Sequence, residues 1–265
     1  MVLAPRQPHA GAIAVNVLRF ARVLAALIVV GWPLALPAAT ARFPLQKANT
    51  DINSLASLQR GARNFVNYCL GCHSARFMRY SQLADDLALT KNELRTNLMF
   101  TGMRIYDAML SSMPPELARD WFGNEPPDLS LIARSRGVDY VYTYLKSFYE
   151  DRSRPTGVNN AVLANSVMPD VLIELQGVQI PRYEELPGPN GHTVRYLVAL
   201  EPGMPGELSA AEFDGFVRDT VTFLEYVAEP TKSQRRSLGV WVILYLLMFT
   251  VFAYFLKKEY WRDVK

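Results

Sequence analysis

"YCLGCHS", residues 68–74, contains both cysteines of this 265-residue chain, Cys69 and Cys72, and His73 follows them at once. Two thiols about one helical turn apart can add to the two vinyl groups of a single haem. A histidine directly after the second cysteine then lies under the iron as its proximal ligand. The stretch therefore predicts one covalently bound haem c held by Cys69, Cys72 and His73.

Two other sites use the same cysteine spacing. A thioredoxin-like redox pair opens a helix after a strand in a βαβ unit, whereas this pair closes a helical pattern. A zinc site needs four ligands, and the chain has no third cysteine. The sequence therefore supports both alternatives less well than it supports a haem site. The C-x-x-C-H spacing by itself can also arise by chance.

The first 41 residues resemble an export signal. Arg19 and Arg22 precede an apolar run, residues 23–36, and Ala39 and Ala41 form an A-x-A pair. The alternative, a membrane anchor, needs about 20 apolar residues, and this run is shorter. We therefore predict a cleaved signal peptide over 1–41, with the following chain exported. Covalent haem attachment also takes place in exported compartments.

A second apolar run, Leu238 to Leu256, has no charged residue and is bordered by basic residues on both sides. Its length gives a helix of roughly 28 Å, enough to cross a bilayer. We predict a periplasmic haem domain over 42–230, a short linker over 231–237, a transmembrane helix over 238–256 and a cytoplasmic tail over 257–265. The protein is thus expected in the inner membrane, in contact with lipid.

The charge pattern argues against nucleic acid as a partner. The formal net charge of +3 equals the three arginines of residues 1–41, which contain no acidic residue. The rest of the chain is balanced and shows no basic stripe with interleaved aromatics.

The spacing of apolar residues predicts a mainly α-helical domain with long loops. Helices are expected at 51–69 with Asp51 as the cap, at 90–100, at 139–150 and at 209–230. Thr90 with Glu93, and Ser209 with Glu212, form capping boxes. The runs 171–180 and 193–200 predict a small β-hairpin, and 110–128 and 151–170 predict loops.

Residue spacing alone does not identify the second axial ligand of the iron. His192 is expected to be an exposed turn residue, so a methionine is favoured, because His/Met ligation suits a high-potential electron carrier. Four methionines lie in helical patterns and are expected in the core: Met78, Met99, Met103 and Met109. Met113, Met168 and Met204 precede prolines in loops, and spacing does not choose among them.

Several segments, in order, resemble the cytochrome c1 family. "SLQRGARNFVNYCLGCHSARFMRYSQL" (57–83) is similar to the family's haem-attachment segment, and "WFGNEPPDLSLIARSRGVDYVYTYLKSFY" (121–149) resembles its P-P-D-L-S motif, R-x-R and aromatic helix. "VTFLEYVAEP" (221–230), followed by one span, resembles its ending. The resemblance implies a bacterial-type cytochrome c-like haem domain with one C-terminal transmembrane helix.

The resemblance also implies the remaining site residues. The family's axial methionine lies in a loop that matches "NNAVLANSVMPDVL" (159–172), which points to Met168 rather than Met113. By the same resemblance Arg136 contacts a haem propionate, and Pro127 and Tyr140 pack in the haem pocket. Some family members carry a disulfide from a second cysteine pair, which this chain lacks.

The expected function is electron transfer within a quinol–cytochrome c oxidoreductase. The resemblance implies cytochrome b and a Rieske iron–sulfur protein as partners, a cytochrome c as electron acceptor, and a dimeric complex. The chain would be the electron-transferring subunit of that enzyme, with no bond-making catalytic residue of its own. The alternatives are a stand-alone membrane-anchored cytochrome c that serves an oxidase, and a haem-based sensor with an open iron position.

Overall fold

A computed structural model describes residues 43–187 and 193–263 of the chain. The predicted export signal and His192 lie outside these described residues. The described residues are mainly helical, with three small antiparallel sheets and one apolar C-terminal helix. The predicted fold class is confirmed.

The elements follow one another as α1 (Leu55–Tyr68), β1 (Ala75–Arg79), α2 (Tyr80–Asp86), α3 (Lys91–Asn97), β2 (Ala108–Met109), α4 (Pro115–Phe122), α5 (Ile132–Ser135), α6 (Val138–Lys146), β3 (Phe148–Glu150), β4 (Val158–Asn160), α7 (Ile173–Gln176), β5 (Gly177–Pro187), β6 (Thr193–Pro205), α8 (Ala210–Ala228) and α9 (Lys232–Tyr260). The three sheets pair β1 with β2, β3 with β4, and β5 with β6.

Helix α8 is the centre of the domain, and α1, α5 and α6 all pack against it. The closest approach is at Gly61 of α1, where a Cβ atom would lie 2.1 Å from the carbonyl oxygen of Asp219. The rings of Phe65 and Phe223 meet in the same interface, with centroids 5.5 Å apart. Because a glycine lets the two backbones touch, α1 packs closely on α8 just before the C-x-x-C-H motif.

Local signals in the sequence located the starts of α3 and α8. Both capping boxes are present, with Thr90 and Ser209 each accepting from the backbone N–H three residues later. The cap predicted at Asp51 is wrong, because Ser54 caps α1 while Asp51 shapes the turn before it. The aromatic helix stops at Lys146, and 148–150 form a strand paired with Val158–Asn160.

Three further predicted segments differ in the structure, the first being the loop predicted over 151–170, which contains β4. The loop predicted over 110–128 contains α4, which has Pro115 at its first turn and ends at Gly123 in a left-handed conformation, φ 72°. The first strand of the hairpin begins at Gly177, later than predicted, because residues 173–176 form the short helix α7. Gly177 makes this change of direction at φ 87°, where its backbone lies against Met204.

Helix α9 is the one helix of the described residues that is long and apolar enough to cross a membrane, and none of its apolar window is buried in the protein. It starts at Lys232, so most of the predicted linker is helical. Only residues 229–231 separate it from α8. Ion pairs join Lys232 to Glu225, and Arg235 to Glu229, across this junction.

Candidate haem-binding site

The C-x-x-C-H motif forms a turn that continues directly from the last turn of α1. The backbone N–H of Cys69 donates to the carbonyl of Phe65 at 2.9 Å, and those of Cys72 and His73 donate to the carbonyl of Cys69 at 3.1 and 2.8 Å. Both cysteines are half-buried and are not joined in a disulfide. The helix end therefore presents two thiols and one imidazole from five consecutive residues.

The surroundings of the thiols do not suit a redox disulfide. Burial raises the pKa of Cys69 to about 12 and also raises the pKa of Cys72. Redox-active C-x-x-C pairs instead have lowered thiol pKa values at a helix N-terminus, and this pair follows a helix C-terminus. Within 43–187 and 193–263, no group of three His, Cys, Asp or Glu side chains could hold a metal ion, so the zinc alternative has no support there.

His73 is oriented by a backbone carbonyl. Its Nδ1 lies 2.8 Å from the oxygen of Pro127. Because a carbonyl only accepts, Nδ1 carries the hydrogen, and in the neutral ring Nε2 then keeps the lone pair that can bind iron. Burial lowers the pKa of His73, against the opposing effects of the Pro127 carbonyl and Asp128, and this favours the neutral ring.

The P-P-D-L-S segment is fastened to the chain just after His73. Asp128 accepts hydrogen bonds from the backbone N–H of Arg76 at 3.0 Å, from Arg76 Nε at 3.1 Å and from the backbone N–H of Ser130 at 2.9 Å. The N–H of Leu129 donates to the carbonyl of Ser74 at 2.8 Å. These hydrogen bonds fix the position of the Pro127 carbonyl, which lies against His73 Nδ1. The sequence contained the motif, but its spacing did not reveal the role of Asp128.

Met168 lies in a second cluster, along one face of α6. Its Sδ accepts a hydrogen bond from the hydroxyl of Tyr144 at 3.5 Å, and Ser166 Oγ lies 2.8 Å from the same hydroxyl. The Tyr144 ring is stacked on that of Tyr140, with centroids 6.3 Å apart. The guanidinium of Arg136 lies 5.6 Å from the centre of the Tyr140 ring. The structure thus places Arg136, Tyr140 and Met168 in one continuous row, joined by Tyr144.

The other methionines are distributed differently from the prediction. Met78 and Met109 are buried, as expected, but in strands, and Met103 is 94% exposed rather than in the core. Met113 is half-buried in a loop that is hydrogen-bonded to the C-x-x-C-H turn, since its N–H donates to Ser111 Oγ, which donates to the carbonyl of Gly71. Met113 therefore stays a competitor of Met168 for the second axial position.

The residues present fit a haem by the chemistry of their donors. A half-buried imidazole and a half-buried thioether are available, and Cys69, Tyr140 and Met168 all pack against the same hydrophobic core. Two exposed apolar side chains are neighbours of these residues in the chain: Leu110 precedes Ser111, and Val167 precedes Met168. Exposed apolar side chains at these positions suit contact with a macrocycle. Arg136 has no salt bridge within the described part of the chain, so its charge is available to a propionate.

Comparison with known proteins gives consistent matches. The sequence model of the cytochrome C1 family matches residues 102–264, a range that includes Pro127, Arg136, Tyr140 and Met168 and begins after the C-x-x-C-H motif. The chain is 46% identical to "Cytochrome c1" of Allochromatium vinosum, over 88% of this chain and 94% of that protein.

Two further relatives bear other names. The chain is 41% identical to "Ammonia monooxygenase gamma subunit" of Nitrosomonas europaea, over 83% of this chain and 88% of that protein. It is 25% identical to "Cytochrome b/c1" of Bradyrhizobium diazoefficiens, over 78% of this chain but only 33% of that longer protein.

Proposed function

Because this chain belongs to the cytochrome c1 family, we propose that it accepts electrons from a Rieske iron–sulfur protein and passes them to a cytochrome c within a quinol–cytochrome c oxidoreductase. Family membership implies a covalently bound c-type haem and an electron-transfer role in a reductase complex. The observation that supports the proposal most is the bond between His73 and Pro127, which leaves Nε2 of the neutral imidazole free.

The proposed haem contacts come from the C-x-x-C-H turn and from the row of side chains that contains Met168. Cys69 and Cys72 form the thioether bonds, and His73 and Met168 are the axial ligands. When bound, the haem supplies a one-electron carrier, and His/Met ligation favours a high potential. The chain itself orients the imidazole through Pro127.

The remaining site residues complete the proposed pocket. Tyr140 provides an aromatic wall beside Met168, with Tyr144 stacked on it. Arg136, at the open end of this row, pairs with a propionate, since burying an unpaired carboxylate is costly. No side chain here has to act as an acid, a base or a nucleophile, so the protein's contribution is binding, burial and orientation.

The proposed setting is the periplasmic side of the inner membrane, with α9 as the anchor and the tail after it in the cytoplasm. Cytochrome b is the proposed neighbour of α9, and a dimeric complex is proposed from the family. The relative named "Cytochrome b/c1" supports this arrangement, because the present chain matches only one third of that longer protein. The exposed apolar surface of α9 suits lipid and a neighbouring membrane protein.

A second candidate function is a membrane-anchored haem carrier outside such a complex. The N. europaea relative supports this second candidate, since that protein, 41% identical, is named as a subunit of ammonia monooxygenase. The fold and the haem would be unchanged in this case, and only the electron donor and the acceptor would differ.

Co-purification separates the two functions. Membranes are solubilised in mild detergent, and the chain is isolated through a tag after Lys265 and examined by haem staining and optical spectroscopy. Recovery with b-type haems and an iron–sulfur protein, together with quinol-dependent reduction of cytochrome c, supports the complex. Recovery with c-type haem alone, under conditions that keep such complexes intact, contradicts it and supports the carrier.

Substitution of the two competing methionines tests the axial ligand. We expect Met168→Leu to lower the midpoint potential strongly and to let carbon monoxide bind the reduced protein, because leucine offers no donor atom. Met113→Leu is the matched control and should do neither. The assignment is wrong if Met113→Leu produces these changes and Met168→Leu is spectrally silent.

A further inference from the structure

We infer that Tyr144 is a positioning residue for Met168, holding its sulfur by a hydrogen bond and thereby raising the potential of the haem. The inference rests on the proposed function, because it requires Met168 to be the axial ligand. It starts from the distance of 3.5 Å between the Tyr144 hydroxyl and Met168 Sδ. Residue spacing does not single out Tyr144, which lies in a helix with five other aromatic or β-branched residues.

The direction of the hydrogen bonds follows from the number of hydrogens. A thioether sulfur carries no hydrogen, so Tyr144 must be the donor to Met168. The tyrosine hydroxyl has only that one hydrogen to give, and Ser166 Oγ lies 2.8 Å from it. Ser166 must therefore donate to Tyr144, and the three groups form a row in which every hydrogen points towards the sulfur.

The ring that carries this hydroxyl is fixed on two sides. Tyr140 stacks on it at a centroid distance of 6.3 Å with an interplanar angle of 8°, and Phe148 meets its edge at 5.2 Å and 72°. All three side chains extend from one short stretch that includes α6. With the ring held in this way, the hydroxyl occupies one position and selects one orientation of the methionine.

A bound hydrogen changes what the sulfur can do as a ligand. A thioether sulfur has two lone pairs, so one can accept from Tyr144 while the other binds iron. The hydrogen bond withdraws electron density from the sulfur and makes it a weaker donor to the oxidised iron. The reduced state is favoured as a result, because hydrogen bonds to ligands are one of the means by which a protein sets a haem potential.

Tyr144→Phe in the full-length haem-bearing protein tests the inference. Two properties are measured: the midpoint potential, by redox titration, and the charge-transfer absorption band that marks thioether ligation in the oxidised protein. We expect the band to remain and the ratio of reduced to oxidised protein at a fixed potential to fall roughly two- to fivefold, the range of a weak hydrogen bond. This fall corresponds to about 20 to 40 mV, at about 59 mV per tenfold change for one electron.

Tyr142→Phe is the matched control. This tyrosine lies on the same helix, and its hydroxyl contacts Lys146 Nζ at 3.3 Å instead of the methionine. Its loss should leave the midpoint potential unchanged. An unchanged or higher potential in Tyr144→Phe overturns the inference, and so does an equal fall in both variants, since this would reflect packing alone.

Ser166→Ala keeps the inference testable if Tyr144→Phe does not accumulate. Removing the donor to Tyr144 weakens the donation from Tyr144 to the sulfur, so the potential should fall in the same direction by a smaller amount. No fall would overturn the inference. Met168→Leu separates the two levels of the argument: loss of the band supports Met168 as ligand whatever Tyr144 does, and a persistent band overturns both the ligand assignment and the role of Tyr144.

Discussion

Asparagine in place of Asp128 is expected to loosen the segment that orients His73. One carboxylate oxygen accepts from the backbone N–H of Ser130, and the other accepts from the backbone N–H and Nε of Arg76. An asparagine has one oxygen and one NH₂ group at these places. Whichever way the amide turns, its NH₂ faces a backbone N–H, and one of these donors loses its partner.

The expected loss of stability follows from the burial of the Asp128 side chain. The Asp128 side chain is only 19% exposed, whereas that of Arg76 is 56% exposed. An unpaired, mostly buried N–H costs about 1 to 3 kcal/mol, and an exposed ion pair contributes at most about 1 kcal/mol. We therefore expect Asp128→Asn to lower the free energy of unfolding by about 2 to 3 kcal/mol, or roughly 4 to 12 °C in Tm for a domain of this size.

The assay is guanidinium and thermal unfolding of the haem-bearing full chain in detergent, followed by far-UV circular dichroism and by the haem spectrum. Arg76→Gln is the matched control, because it removes the ion pair and keeps its own backbone N–H on Asp128. It should cost less than about 1 kcal/mol. A loss in Asp128→Asn no larger than that in Arg76→Gln would refute the reasoning.

Acid titration adds a second check on Asp128. Burial raises its pKa, but the hydrogen bonds from Ser130 and Arg76 outweigh this effect and hold the pKa below the ordinary value of 3.8. A lowered folded-state pKa contributes stability that is complete above the unfolded pKa and is lost as the pH falls through the folded one. The difference in stability between wild type and Asp128→Asn should therefore be constant from neutral pH to about 5 and shrink below about 4.

Two further predictions concern packing and attachment. Gly61→Ala should lower the free energy of unfolding by about 3 kcal/mol, since its Cβ would lie 2.1 Å from the carbonyl oxygen of Asp219. Gly215→Ala on α8, whose Cβ would meet no atom within 4 Å, should instead stabilise the protein by up to about 1 kcal/mol. Thermal unfolding of both variants checks the contrast. Cys69→Ala combined with Cys72→Ala should leave no haem on the denatured polypeptide, and retained haem staining would contradict covalent attachment at these positions.

The sequence was most informative where structure depends on neighbours in the chain. The capping boxes at Thr90 and Ser209 were predicted correctly because each needs only four consecutive residues. Residues 171–176 have a strand-like composition, but 173–176 form a short helix that lies against α8. The contact between Tyr144 and Met168 joins residues 24 apart. No pattern of spacing distinguishes Tyr144 from the other tyrosines of its helix, so this contact required the fold.

The junction between α8 and α9 determines what kind of movement is open to the domain. Three residues, 229–231, span at most about 10 Å even when fully extended, and the ion pairs of Glu225 and Glu229 with α9 bridge them. A flexible tether would let a domain swing between a donor and an acceptor. The short junction and its ion pairs limit such swinging of the domain relative to α9. In the proposed complex, any long-range movement between donor and acceptor would therefore fall to the redox partners rather than to this domain.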